Sequence, residues 1–291
     1  MSLVTTYGPW ALVTGAAHGL GKAFAAQLAA RGLSLVLLDL DGEANDRVGA
    51  ELRAEHGIET HCERVDVSQA DLPAQAGRLA AAHEIGLLVA NAGISTIGAF
   101  LDAELDDHLR VLDTNCRGTL VLSHILGRAM AARGRGAIVI VSSVSAMTGT
   151  PVVAHYAATK AYGLELASGL WAELEGSGID VLAACPGLTH TRGTEIHPPN
   201  RAAAPLVPMM EAAEVAESTV RALEARRGPA VVPGWQNRAS SWVMSRVLPR
   251  RLSLRLLRST MHRLYPSGGA TRGGHRSERG RPPAGPRSPL R

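Results

Sequence analysis

Apolar runs without polar alternation, spaced through the first 190 residues, constrain this chain more than any other feature. Trp10–Thr14, Ser34–Asp39, Gly86–Ala90, Gly136–Ser142 and Ile179–Ala184 are rich in Val, Leu, Ile and Ala and lack the in-out pattern of a strand with one wet face. They read as strands covered on both sides. Between them, Leu20–Arg31, Glu43–His56, Leu72–His83, Leu105–Arg133 and Tyr156–Glu175 have helical length and composition, as does the later Ala212–Arg227. Strand and helix alternating at this spacing predict right-handed βαβ crossovers and an α/β fold built on a doubly wound parallel sheet. Pro229–Pro233 predicts a further edge strand. With 291 residues and 46% apolar content, the chain can bury the core of one large domain.

Charge divides the chain where hydrophobicity does not. The net charge is +4 overall, yet residues 267–291 carry six arginines against Glu278, and residues 235–266 carry seven arginines and no acid. Residues 1–234 are therefore acidic, and the basic character belongs to the C-terminus. Three segments follow: a body at 1–234, a basic amphipathic helical extension at 235–266, and an Arg/Gly/Pro-rich tail at 267–291 that reads as disordered. Cys62, Cys116 and Cys185 are odd in number and widely separated, which suits reduced thiols. No apolar run approaches the ~20 residues of a membrane span, and the N-terminus lacks a signal-peptide pattern. A cytoplasmic protein is expected, with membrane association left open by the extension.

Thr14-Gly15-Ala16-Ala17-His18-Gly19-Leu20-Gly21 follows the first strand and opens a helix. At that junction backbone N–H groups and the helix dipole can receive a pyrophosphate, and glycines let it approach closely. Further along, Tyr156 and Lys160 lie one helical turn apart, so the ammonium is expected to lower the phenol pKa from about 10. That makes Tyr156 a candidate proton donor and acceptor. Ser143 ends a strand thirteen residues upstream, at the carboxyl edge where such sheets bind ligands.

In these motifs the chain resembles the short-chain dehydrogenase/reductase family over roughly residues 7–234, through its T-G-x-x-x-G-x-G segment and its Ser143, Tyr156 and Lys160. The resemblance implies a Rossmann-type fold and a nicotinamide cofactor. Gly15, His18, Gly19, Leu20 and Gly21 would line its phosphates. Asp66 and Val67 would meet the adenine, although a helix N-cap at Ser68 explains that segment equally well. Asn91, Ala92 and Gly93 resemble the family's N-N-A-G, with Ala90 in place of the first Asn. Pro186, Gly187, Thr189 and Thr191 resemble its P-G-x-V-x-T, with Thr189 replacing Val. Ser143 would orient the substrate oxygen, Tyr156 would exchange its proton, and Lys160 would bind the nicotinamide ribose. Asn115 would hold a relay water, or would merely cap or bend its helix. Ser142, Ser145 and Tyr162 read as structural neighbours.

Asp39 ends the second strand, where a carboxylate accepts hydrogen bonds from ribose hydroxyls and repels a 2′-phosphate, so NAD is expected and NADP disfavoured. His18 and Leu40 supply no permanent cation, Asp41 adds negative charge, and a plain turn role for Asp39 remains open. His190 and His197 lack further ligands at metal spacing, so no metal is expected. Leu206, Val207, Met209 and Met210 suggest a lipophilic wall, or ordinary packing.

The extension interleaves Trp242, Val247, Leu252 and Leu256 with arginines, and Pro249 should break it into two helices. Docking on the body, on a second subunit, or on an anionic membrane all fit it; nucleic acid does not. The sequence therefore points to an NAD-preferring alcohol dehydrogenase or ketone reductase for a lipophilic secondary alcohol, and the family resemblance implies a homodimer or homotetramer through Leu105–Arg133 and Tyr156–Glu175. The alternatives are an NADP-dependent ketoreductase and a non-catalytic dinucleotide-binding protein at a membrane surface. Removal of the tail after Pro266 is expected to leave turnover within about twofold of the full chain, since no candidate site residue lies beyond it; steady-state kinetics of the two forms checks this.

Overall fold

The computed structural model describes residues 2–266; the tail read as disordered, 267–291, lies outside them. In chain order the elements are α1 (Leu3–Tyr7), β1 (Trp10–Thr14), α2 (Gly19–Ala29), β2 (Ser34–Asp39), α3 (Gly42–His56), β3 (Thr60–Arg64), α4 (Leu72–Ala82) and β4 (Ile85–Ala90). There follow α5 (Leu105–Leu112), α6 (Gly118–Arg133), β5 (Gly136–Val141), α7 (Ala154–Glu173), β6 (Ile179–Ala184), β7 (Leu188–Thr189), α8 (Arg192–Ile196) and β8 (Met209–Met210). The last are α9 (Ala212–Glu224), β9 (Ala230–Val231), α10 (Trp235–Trp242) and α11 (Arg250–Leu264).

Seven strands pair in parallel in the order β3-β2-β1-β4-β5-β6-β9. Successive residues of each strand enter opposite layers, as strand geometry requires. Val13, Leu37, Val89 and Val139 pack with Phe24 and Leu28 of α2 and Val220 of α9. Their neighbours Leu12, Leu38, Leu88 and Ile140 pack with Leu79 of α4 and Leu122 and Leu126 of α6. The doubly wound sheet expected from the apolar runs is thus present, and its order reverses between β1 and β4. Carboxyl ends diverge at such a reversal and leave a crevice for a ligand.

Some elements depart from the sequence reading. β3, Thr-His-Cys-Glu-Arg, was not expected as a strand because it has no apolar run; it is the outermost strand on its side and is only partly buried. Leu105–Arg133 is helical throughout, as expected, but a π-bulge at Asp113–Arg117 lies between α5 and α6. β7 and β8 form a two-residue ribbon after the sheet, too short to leave a pattern.

The extension is helical and broken before Pro249, as read from sequence, with α10 running into a second π-type turn at Val243–Val247. It docks on its own body. Asn200 N donates to Leu264 O at 2.7 Å, Asn237 Nδ2 donates to Pro233 O at 3.2 Å, and Leu264 is buried, while Ser253 Oγ, on Met244 O at 2.7 Å, joins the two halves of the extension. Among the described residues no helix is long and apolar enough to cross a membrane.

At the opposite edge of the sheet, Tyr7 of α1 donates its hydroxyl to Asp180 Oδ2 at 2.8 Å, and Arg226 Nε stands 3.3 Å from the same carboxylate. Burial and the facing carboxylate hold this phenol protonated. Tyr7→Phe is expected to lower unfolding free energy by about 1.5–3 kcal/mol, the range for a hydrogen bond to a charged group. A urea titration should show a lower midpoint with an unchanged slope.

Candidate active site

Thr14 ends β1 with its hydroxyl accepting N–H groups from Asn91 at 3.0 Å and Ala92 at 2.9 Å, while Asn91 Nδ2 donates back to Thr14 O at 2.9 Å. This bracket joins β1 to β4 at the order reversal. It also fixes Asn91 and Ala92 beside Gly15, Gly19 and Gly21. A Cβ on Gly21 would lie 1.9 Å from Gly15 O, so the first turn of α2 folds against the loop only with glycine there. His18 is the N-cap residue of α2 but makes no side-chain cap bond, so that helix end offers its first-turn N–H groups, Leu20 among them, to an anion. The Leu20 side chain itself packs in the core. A cleft of about 290 Å³ opens here, lined by His18, Gly19, His190, Thr191, Arg192 and Glu195. These features fit a dinucleotide pyrophosphate.

Asp39 stands at the tip of β2 with both carboxylate oxygens oriented by the backbone, Oδ2 accepting from Ala17 N at 2.9 Å and Oδ1 from Asp41 N at 3.0 Å. The turn role and the ribose role are therefore compatible, because each oxygen retains a further lone pair. Asp41 is not the bare negative charge that its position in the sequence suggested. His18 Nε2 is 3.0 Å and Arg192 Nη1 3.6 Å from its Oδ2, and the hydrogen bonds from His18 and from Ala44 N hold this carboxyl below the usual range. Arg192 comes from 150 residues away, which is why a reading confined to the neighbourhood of Asp39 missed it.

Past β3, Asp66 receives Ser68 N at 2.9 Å and Ser68 Oγ at 2.6 Å. Ser68 is therefore not the helix N-cap; Asp71 occupies that position. Val67 is buried beneath Gly118.

Ser143, Tyr156 and Lys160 converge at the carboxyl ends of β5 and the start of α7. Ser143 Oγ accepts from Ser145 N at 3.2 Å and Ser145 Oγ at 2.9 Å, and Ser143 is near enough to the Tyr156 phenol to pull its pKa down. Ser145, read as a bystander, thus orients the Ser143 hydroxyl. Just before α7, Val152 takes φ of +72°, a strained conformation for a β-branched residue, and its carbonyl accepts Gly98 N at 2.8 Å. Lys160 is buried, with Nζ donating to Val141 O at 2.8 Å and lying 5.7 Å from the Tyr156 ring centroid.

The expected lowering of the Tyr156 pKa is not found. Burial pushes Tyr156 up to about 12, against a smaller downward effect of the Ser143 hydrogen bond, and Tyr265 adds to the rise. Burial likewise brings Lys160 down to about 8. Desolvation of both groups outweighs the attraction that their spacing promised.

Asn115 lies in the π-type turn and spends its side chain on protein partners. Its Oδ1 accepts Ile94 N and its Nδ2 donates to Ile94 O and Thr159 Oγ1, each at 2.9 Å. It brackets the segment after β4 to α7 from within the π-bulge of the expected helix. A Cβ on Gly93 would come within 3.0 Å of Lys160 Nζ and 3.3 Å of Asn115 Oδ1, so Gly93 leaves room for both groups.

Beyond β6, Thr189 is buried with its hydroxyl on Gly187 O at 3.0 Å, and Thr191 N-caps α8 while facing Gly19 across the cleft. Val144 N donates to Pro186 O at 3.0 Å, tying this loop to Ser143. Asn237 of the extension is buried against Gly187, where an added Cβ would meet its Oδ1 at 2.4 Å. Met210 packs on the core and its sulfur receives Asn237 Nδ2, whereas Leu206 is fully exposed. Asn237 and Tyr265 lie in the extension, outside any motif, and no sequence signal marked them.

Residues 9–201 match the sequence profile of the short chain dehydrogenase family. The chain is 38% identical over 180 residues to a very-long-chain 3-oxoacyl-CoA reductase of Podospora anserina, an alignment covering 60% of this chain and 53% of that protein. It is 33% identical over 194 residues to a 7beta-hydroxysteroid dehydrogenase of Collinsella aerofaciens, covering 66% and 73%. A solved 7beta-hydroxysteroid dehydrogenase superposes with a TM-score of 0.80 at 27% identity, over 88% of this chain and 99% of that one. Similar folds have been solved with NADPH, from Sphingobium yanoikuyae (TM-score 0.73, 30% identity, 83% and 96% covered), and with NAD, from Burkholderia phymatum (0.72, 26%, 82% and 93%). The profile match, the glycine cradle and the Ser143, Tyr156 and Lys160 cluster together establish that this chain belongs to the short-chain dehydrogenase family of nicotinamide-dependent oxidoreductases.

Proposed function

We propose that the protein interconverts a lipophilic secondary alcohol and its ketone, with NAD as the preferred cofactor. The observation that carries this reading is the convergence of Ser143, held by Ser145, with Tyr156 and the buried Lys160, and the glycine cradle alongside. Ser143 orients the substrate oxygen. Tyr156 gives that oxygen a proton in reduction and takes it in oxidation. Lys160 binds the ribose of the cofactor, and Asn115 holds the α7 end of the site in register. When bound, the nicotinamide supplies or accepts the hydride. Names of relatives that act on steroids and long acyl chains support a lipophilic substrate. Exposed Leu105, Leu109, Leu112 and Leu120 on α5 and α6, with Tyr162 and Trp171 on α7, support a homodimer or homotetramer through these helices. Three unpaired cysteines suit a reducing compartment such as the cytoplasm.

NADP dependence is the second reading, and one observation favours it: Arg192 and His18 converge on Asp41 at the cofactor cleft. The Asp39 carboxylate weighs against it.

Absorbance of the reduced nicotinamide with a panel of lipophilic alcohols and ketones tests the activity. Tyr156→Phe is expected to lower kcat by at least about 10²-fold with cofactor affinity unchanged; full turnover in this variant would remove Tyr156 from the proton transfer, and only a wild type silent in both directions would leave the dinucleotide-binding reading. The raised Tyr156 pKa fixes the sign of the pH dependence. Oxidation needs the ionised phenol, so its kcat/KM should rise about tenfold per pH unit from 6 to 8, while ketone reduction, which uses the neutral phenol, stays flat. For the cofactor, Asp39→Ala should erode a wild-type preference for NAD. A wild-type preference for NADP that Arg192→Ala abolishes would establish the second reading.

A further inference from the structure

The docked side of the extension is accounted for by Asn237, Ser253 and Leu264, each nearly inaccessible to solvent. The opposite side is not. From α10 into the following π-type turn, positions 235, 238, 239, 242, 243, 246 and 247 recur at helical spacing, and all seven are exposed. They hold Trp235, Arg238, Ala239, Trp242, Val243, Arg246 and Val247. Trp235 is 74% and Trp242 60% accessible, and Leu252 and Leu256 of α11 add further exposed apolar surface. Such exposure is unusual for tryptophan, whose area normally contributes to a core or an interface.

Charge narrows the choice of partner. Residues 235–266 carry seven arginines and no acid, and among the described residues none of these arginines forms an ion pair. The basic extension is therefore not held to its acidic body by direct charge pairing; its guanidinium groups remain available. Two copies joined about a two-fold axis would set this stripe against itself and bring like charges together. A stripe packed instead on the acidic body of another copy would make a head-to-tail contact that need not close. An anionic lipid surface meets both requirements at once: phosphates accept the guanidinium hydrogen bonds, and the indoles settle at the headgroup boundary.

We propose that the outward stripe of the extension, centred on Trp235 and Trp242, docks the protein on an anionic membrane surface. The inner side of the same extension holds Asn200 through Leu264 and packs Leu254 against Gly149, on the loop that follows Ser143. Docking in this way sets the substrate side of the proposed active site at the lipid boundary, where an apolar alcohol or ketone concentrates. The binding claim itself does not depend on turnover.

The test is flotation of the full chain with vesicles of phosphatidylcholine alone and of an equimolar mixture with phosphatidylglycerol. The protein should float with the mixed vesicles and remain behind with the neutral ones, and the tryptophan emission should shift to the blue. Trp235→Ala with Trp242→Ala should weaken partitioning at least about tenfold, while the unfolding midpoint and dinucleotide affinity stay unchanged. Absence of flotation with mixed vesicles overturns the proposal. So does flotation undiminished in the double variant, which would assign the binding to residues 267–291. A lipid-free dimer that the double variant converts to monomer would make the stripe a subunit interface instead.

Discussion

The hydroxyl of Thr14 organises the cofactor half of this protein. It accepts two backbone N–H groups from Asn91 and Ala92, and Asn91 returns its side-chain N–H to Thr14 O. In a parallel sheet the strands on either side of the order reversal are followed by helices that leave in opposite directions, so their carboxyl ends tend to part. The bracket holds them together while leaving the crevice open. The glycine loop is built against it: Asn91 Nδ2 is the neighbour that a Cβ on Gly15 would meet at 3.0 Å and one on Gly21 at 2.7 Å. The same residue thus secures the sheet and sets the depth of the cradle.

In the catalytic half, desolvation decides the electrostatics. Tyr156 and Lys160 share a helix face, yet burial raises one and lowers the other, and both shifts favour the neutral forms. A neutral phenol is suited to give a proton to a ketone. The reverse step requires help, and Ser143, itself held by Ser145 Oγ, works against burial by pulling the Tyr156 pKa down. Ser143 therefore has a physical role that proximity of Lys160 alone does not fill.

Buried strands were legible because apolar runs covered on both faces carry their own signature, and the glycine segment was legible because a strand and a helix flank it. β3 was not, since an outer strand with partly exposed side chains needs no apolar run. The π-bulge at Asp113–Arg117 was invisible for a different reason: local composition from Leu105 to Arg133 gives the continuous helix but not its local widening, where Ile94 and Thr159 hold Asn115. Arg192, Asn237 and Tyr265 belong to the same class. Each reaches the site through tertiary packing across long sequence separations, and nothing in its immediate neighbours announces the contact.

The extension turns this limit into an argument about function. A body of net negative charge beside a segment of seven arginines looks, in sequence, like an electrostatic clasp. The folded chain makes the contact with Asn237, Leu254 and Leu264, and the arginines are left without carboxylate partners among the described residues. Exposed ion pairs contribute little to stability in any case, so apolar and hydrogen-bonded docking is the stronger way to hold such a segment. Charges that do not stabilise the fold are then free to act on something else. Their interleaving with two exposed tryptophans at helical spacing, on the element that also packs beside the loop following Ser143, ties that second role to the entry of an apolar substrate.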